Sequence, residues 1–184
     1  MSNLDIIKDI LSENYLAADQ DLLIEENRTR KKKGFRMEYP IHKRAGVAHC
    51  LYRYEDDAFP FFKFPKTGKG QKGVKGLKKM CDYILFAEEQ GDDRLYIFLI
   101  ELKLGPTSAQ PQLEAAQEFV HFIVNTAARV GLEIEHYEIR KLRICDKYAQ
   151  KKGTNIRRSY EFDHNGYCDY RSSRFQLTAL IKNI

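Results

Sequence analysis

Apolar residues recur at steps of three and four near the start of the chain, at Leu4, Ile7, Leu11, Tyr15, Ala18 and Leu22. That spacing predicts a helix over residues 3–27, capped by Ser2 or Asn3. The period then changes. Alternation in Phe35–Ile41 and Val47–Tyr54 predicts strands. Phe59–Phe64 is apolar but interrupted by Pro60 and followed by Pro65, so it reads as an irregular packing element. Met80–Glu88 and Leu95–Leu104 predict two further strands, joined by a turn containing Gly91-Asp92. After a Gly105-Pro106 break, Leu113, Ala116, Val120, Ile123 and Ala127 mark the apolar face of a second helix. Thr107 or Ser108 can cap this helix, and Gly131 ends it. Residues 132–146 predict a strand whose apolar content is Ile134, Tyr137, Ile139, Leu142 and Ile144. Tyr160–Asp163 and Tyr167–Tyr170 predict a hairpin turning at Asn165-Gly166. Residues 174–182 close with a short amphipathic element. The order of helix, strands, helix, strand and hairpin describes a mixed α/β sheet with helices packed on it, in a single domain over residues 1–184.

One strand breaks its own pattern. LYIFLIELKLG, from Leu95 to Gly105, is apolar or aromatic until Glu101 and Lys103 appear two apart. Strand side chains alternate faces, so these two charges share one. A turn centred between Gly91 and Asp92 sets Asp82 directly across from Glu101, with Cβ atoms about 5 Å apart. A one-residue slip would send Asp82 to the opposite face. Two facing carboxylates repel unless a cation sits between them, and oxygen ligands suit Mg²⁺ or Mn²⁺. Lys103, one step on, can hold a phosphate or orient and deprotonate a water. The bland alternative is a weak surface ion pair between Glu101 and Lys103, with all three residues reaching solvent at the strand end. Against it, the charges interrupt an otherwise apolar strand pair, where polar groups need partners or water.

Charge adds a direction. The 184 residues carry a net charge of +5, which is compatible with a polyanionic partner. Its distribution says more. Between residues 66 and 79, lysines fall at Lys66, Lys69, Lys72, Lys75 and Lys78, then Lys79, interleaved with four glycines. Such a segment cannot form a packed core, and its place just before Asp82 favours phosphate binding over mere solubility. It is no Walker A loop, since it precedes a strand and lacks that motif. The Arg28–Lys33 cluster reads as a solvated turn after a helix. The Phe59–Phe64 aromatics could stack bases, but core packing is the favoured use.

The four cysteines, Cys50, Cys81, Cys145 and Cys168, are widely spaced, and no signal-peptide pattern opens the chain, so a reduced, cytoplasmic protein is expected. A Cys145–Cys168 pair is the minor alternative. The histidines, His42, His49, His121, His136 and His164, lack zinc-type spacing and read as structural. No apolar run approaches the roughly 20 residues of a membrane span.

Asp82, then Glu101-Leu102-Lys103, then a helix carrying Gln112-Leu113 resembles the PD-(D/E)xK nuclease superfamily. The resemblance covers about residues 66–125. It implies a restriction-endonuclease-like mixed β-sheet with flanking helices, whose hairpin carries the acid and the ExK tripeptide and is followed by a crossing helix. It also implies that Asp82 and Glu101 ligate Mg²⁺ or Mn²⁺, that the Leu102 carbonyl completes the metal shell, and that Lys103 assists the attacking water. The glycine- and lysine-rich stretch before Asp82 is similar to that of archaeal Holliday-junction resolvases. Gln112 resembles the glutamine of the QxxxY variants and is carried as a catalytic candidate, although position 116 is Ala where that pattern has Tyr. Cys81 replaces the nominal proline. An additional helical acid, present in some members, has Glu13, Glu25 and Glu26 as candidates.

The function expected is a metal-dependent endonuclease acting on nucleic acid, with DNA favoured, in repair, recombination or defence against foreign DNA. The alternative is a catalytically inactive module of this fold that binds nucleic acid or a protein partner. No membrane partner is expected. A homodimer or a recruiting protein is compatible with the sequence.

Overall fold

The computed structural model describes residues 1–27, 35–54, 79–103, 107–145, 160–172 and 174–182. Among these residues, three α-helices and eight strands make a mixed α/β architecture: α1 Asn3–Ile10, β1 Leu22–Asn27, β2 Phe35–His42, β3 Val47–Arg53, β4 Tyr83–Glu89, β5 Leu95–Lys103, α2 Gln110–Arg129, β6 Tyr137–Cys145, β7 Tyr167–Tyr170, β8 Phe175–Gln176 and α3 Leu177–Lys182. A five-stranded sheet runs β3-β4-β5-β6-β7, and a three-stranded sheet runs β1-β2-β8. In the larger sheet β3, β4 and β5 are antiparallel neighbours. β5 and β6 are parallel, as are β6 and β7. A parallel return from β5 to β6 needs a crossover, and α2 lies on it.

Strand alternation divides the core into two layers. Tyr83, Leu85, Tyr96, Phe98, Ile100 and Leu102 face the small sheet, where Leu23, Met37, Tyr39, Ile41 and Phe175 meet them. Ile84, Phe86, Leu95, Ile97 and Leu99 face the helices, against Leu4, Ile7, Leu113, Ala116 and Val120. Every residue from Leu95 to Leu102 is therefore buried, as an unbroken apolar run requires. Among the described residues no helix is long and apolar enough to cross a membrane, and Cys50, Cys81 and Cys168 are buried free thiols.

Four elements differ from the pattern-based reading. The expected 3–27 helix stops at Ile10, with Ser2 forming the capping box at its start. A 3₁₀ turn at Glu13–Tyr15 follows, and Leu22–Asn27 is a strand paired antiparallel with β2. Short polar side chains end the helix by satisfying backbone donors locally: Ser12 Oγ accepts from the Asn14 N–H at 3.3 Å, and Asp19 Oδ1 from the Asp21 N–H at 2.9 Å. Pairing with β2 then overrides the residual helical spacing. At the second helix the N-cap is Ala109 rather than Thr107 or Ser108, although Ser108 Oγ accepts from the Gln110 N–H at 3.2 Å.

The third difference is the C-terminal hairpin. The turn exists: the Gly166 N–H donates to the Asp163 carbonyl at 2.9 Å, and Gly166 holds φ +68°. Residues 160–163, however, form no strand. β7 pairs with β6 instead, since the Gly166 carbonyl accepts from the Lys141 N–H at 2.7 Å and starts that ladder. The expected 132–146 strand begins only at Tyr137, after which its register with β5 is continuous.

Tyr83 ties the two sheets together beside the site. Its hydroxyl accepts from the Ile24 N–H at 3.0 Å and donates to the Ile24 carbonyl at 2.8 Å, while its ring is 2% exposed. Tyr83→Phe removes both bonds and keeps the ring. It is expected to cost roughly 1–3 kcal/mol, the range for stranding partly buried backbone groups. Urea denaturation checks this, and an unchanged midpoint would show that the tie is not used.

Candidate active site

The β4–β5 register sets the geometry. Tyr83 pairs with Ile100 and Phe86 with Ile97, so extending the ladder by one residue places Asp82 opposite Glu101. The spacing read from the turn is the spacing observed. Beyond the ladder, side chains take over the strand pairing. The Asp82 N–H donates to Glu101 Oε2 at 3.2 Å, and the Leu102 N–H donates to Asp82 Oδ2 at 2.7 Å. Each carboxylate is thus held by the backbone of the opposite strand. Lys103 Nζ donates to Glu101 Oε1 in a close ion pair.

Glu101 is the only charged residue fully buried among those described, at 3% exposure. Burial raises its pKa, the Asp82 charge raises it further, and Lys103 opposes both, leaving it at about 7 against an ordinary 4.5. Burial also raises the Asp82 pKa, with the Leu102 N–H, Lys103 and Arg53 pulling it back. Burial therefore pushes both carboxyls toward their protonated forms. Glu101 shares its face with Leu95, Ile97 and Leu99, the helix-facing side, so this charge sits where the sheet meets the α2 layer.

The structure also brings Glu25 to this end of the sheet. Burial and then the Asp82 charge raise its pKa, while Arg53 and Lys103 lower it. Glu25 was one of three acids considered as a helical contributor. It lies on β1, not on a helix. The other two are elsewhere: Glu26 pairs with Arg36 at 2.8 Å, and Glu13 is exposed on the 3₁₀ turn. Gln112 occupies the first turn of α2, and its Oε1 is buried with no hydrogen-bond partner among the described residues. No hydrogen bond joins it to Asp82, Glu101 or Lys103. Lys79 is exposed, three residues before Asp82. Lys66, Lys69, Lys72, Lys75 and Lys78 lie outside the described residues, as do the Arg28–Lys33 cluster and the Phe59–Phe64 aromatics.

Arg53 went unnoticed in the sequence. It ends β3, pairs in register with Tyr83, and holds its guanidinium 5.6 Å from that ring's centroid. Only the β3–β4 register brings it beside Asp82, and a single arginine gives no pattern by which to find it.

Among the described residues no group of three or more His, Cys, Asp and Glu side chains is arranged to hold a metal ion. The available donors are two carboxylates and a backbone. The Leu102 N–H points toward Asp82, and in an extended strand the carbonyl of the same residue points to the same side. Asp82, Glu101 and the Leu102 carbonyl make a hard oxygen set. Such a set fits Mg²⁺, which commonly takes one or two carboxylates and keeps water or phosphate for its other positions. Two facing carboxyls whose ionised forms are disfavoured by burial fit a cation too. No protein-family model matches the chain, and no curated protein or solved structure matches it either.

Proposed function

We propose that this protein is a divalent-metal-dependent nuclease that hydrolyses phosphodiester bonds, with DNA as the favoured polymer. The observation that carries this reading is the mutual bracing of Asp82 and Glu101 across β4 and β5, with Lys103 on the second carboxylate. Two acids held face to face, one of them buried, are costly for stability alone. Their use as ligands accounts for that cost. The consecutive run β3, β4, β5, α2, β6 supports the restriction-endonuclease-like reading, because the acid-bearing hairpin is followed by a helix crossing back to a parallel strand.

Asp82, Glu101 and the Leu102 carbonyl would hold Mg²⁺ or Mn²⁺. A bound cation of this kind supplies Lewis-acid stabilisation of the charge that builds on the phosphate. The chain's own residues do the rest. The β4–β5 ladder fixes the two carboxylates with backbone bonds, so they need little reorganisation. Lys103 lies within reach of Glu101 Oε1 and is only partly buried, so its Nζ can turn to the attacking water or to a phosphate oxygen. Lys79 and the lysines before it would contact the polymer's phosphates, which gives affinity without reading sequence.

The test is incubation of the purified full chain with supercoiled plasmid. Mg²⁺ or Mn²⁺ is expected to support nicking or linearisation, and EDTA to stop it. Salt-dependent binding with no cleavage of any DNA or RNA would instead favour a module that binds nucleic acid without hydrolysing it.

A further inference from the structure

We propose that Arg53 is a phosphate-binding residue of this site, gripping the non-bridging oxygens of the phosphodiester that lies against Asp82 and Glu101. The inference rests on the nuclease reading and names a contact that reading does not contain.

Three observations place the residue. Arg53 is the last residue of β3 and the register partner of Tyr83, which directly follows Asp82. Its guanidinium lies 5.6 Å from the Tyr83 ring centroid, a cation–π distance. That ring is itself fixed, being 2% exposed and bonded through its hydroxyl to both backbone groups of Ile24. Arg53 thus lies over a buried, hydrogen-bonded ring one residue along from Asp82, on the opposite face by strand alternation but at the strand end, where its charge still acts on the Asp82 carboxyl.

A further observation says what it is free to do. Arg53 is exposed, and among the described residues no carboxylate forms an ion pair with it. This holds although its charge is felt at both Asp82 and Glu25. A guanidinium presents a planar fork of donors that matches phosphate bidentately. Among the described residues the fork lies over the Tyr83 ring with no carboxylate partner, close enough to an acidic site for its charge to act on Asp82. An arginine there offsets the repulsion between the carboxylates and the incoming backbone. Arg44 and Arg94 differ in this respect, since Glu89 and Glu138 already hold them.

The experiment measures binding of a short fluorescein-labelled DNA duplex, and of the matching RNA duplex, by the full chain in EDTA across a salt series. Arg53→Ala is compared with Arg129→Ala, which removes the same charge from the far end of α2. Arg53→Ala is expected to weaken binding about tenfold or more at low salt and to reduce the salt slope by about one. Arg53→Lys keeps the charge without the fork and is expected to recover only part. With Mg²⁺ present, Arg53→Ala is expected to raise KM for cleavage. Equal losses from Arg53→Ala and Arg129→Ala, or an unchanged slope, would overturn the assignment. Wild-type binding without cleavage, with the slope still falling in Arg53→Ala, would leave this contact standing while the hydrolytic reading fails. Cleavage with Arg53→Ala at wild-type KM would do the reverse. No binding of either duplex by the wild type would overturn both.

Discussion

Asp82→Asn is expected to reduce metal-dependent plasmid cleavage below detection, and Lys103→Ala to lower kcat by about 10²–10⁴-fold, the range for loss of a positioned proton-transfer group. The two losses differ in kind. Asparagine keeps an oxygen for the Leu102 N–H, so the β4–β5 junction survives while the ligand charge is gone. Its residual rate is expected to respond to very high Mn²⁺. Lys103→Ala leaves both carboxylates in place, so the metal requirement is expected to stay near that of the wild type while turnover falls. Lys103→Arg separates charge from proton transfer, because arginine stays protonated. Restoration by arginine would make Lys103 an electrostatic contact. Failure of arginine to restore activity would point to proton transfer with the water. Wild-type rates in Asp82→Asn would remove the basis of the proposal.

The second large effect is on stability and needs no activity. Glu101 titrates near 7 in the folded chain and near 4.5 when unfolded. A carboxyl whose folded pKa is raised binds more protons folded than unfolded between those values, so stability falls as pH rises from about 4.5 to 7 and is level beyond. Glu101→Gln imitates the protonated form and keeps an acceptor for the Asp82 N–H. It is expected to stabilise the metal-free protein by on the order of 2–3 kcal/mol above pH 7 and by little near pH 4.5. That corresponds to several degrees in Tm for a chain of this size. Mg²⁺ is expected to reverse the order. A cation between the carboxylates favours the ionised form, so Mg²⁺ stabilises the wild type increasingly as pH rises through 7, and Glu101→Gln hardly at all. Thermal melts at pH 5 and pH 8, with Mg²⁺ or EDTA, check all four arms. A Glu101→Gln variant less stable than wild type at pH 8 in EDTA would show that the Lys103 pair outweighs the burial of the charge.

The placement of Asp82 opposite Glu101 was legible because it depends on one turn and one alternation. Gly91 at φ +89° fixes where the β4–β5 hairpin reverses, and alternation from there places Asp82 against Glu101. The apolar run Leu95–Ile100 announced a strand buried on both faces, and the two core layers show why. What escaped depends on pairing between distant segments. Leu22–Asn27 carries helix-compatible spacing, and only its ladder with β2 makes it a strand. With that strand misread, Glu25 entered only as one of three candidate helical acids, with nothing to set it apart from Glu13 and Glu26. Tyr167–Tyr170 has a good hairpin turn before it, yet the open edge of β6 captures it. Gln112 was reached through resemblance alone, and its buried Oε1 still lacks a partner among the described residues.

The central claim is that Asp82 and Glu101 exist to share a cation. Anomalous scattering from crystals of the full chain soaked in Mn²⁺ tests it most directly. The account predicts a peak about 2 Å from an oxygen of each carboxylate and from the Leu102 carbonyl, with Lys103 Nζ released from Glu101. A saturating soak that leaves no peak there, with Lys103 still bonded to Glu101 while the same protein cleaves plasmid in Mn²⁺, would contradict it.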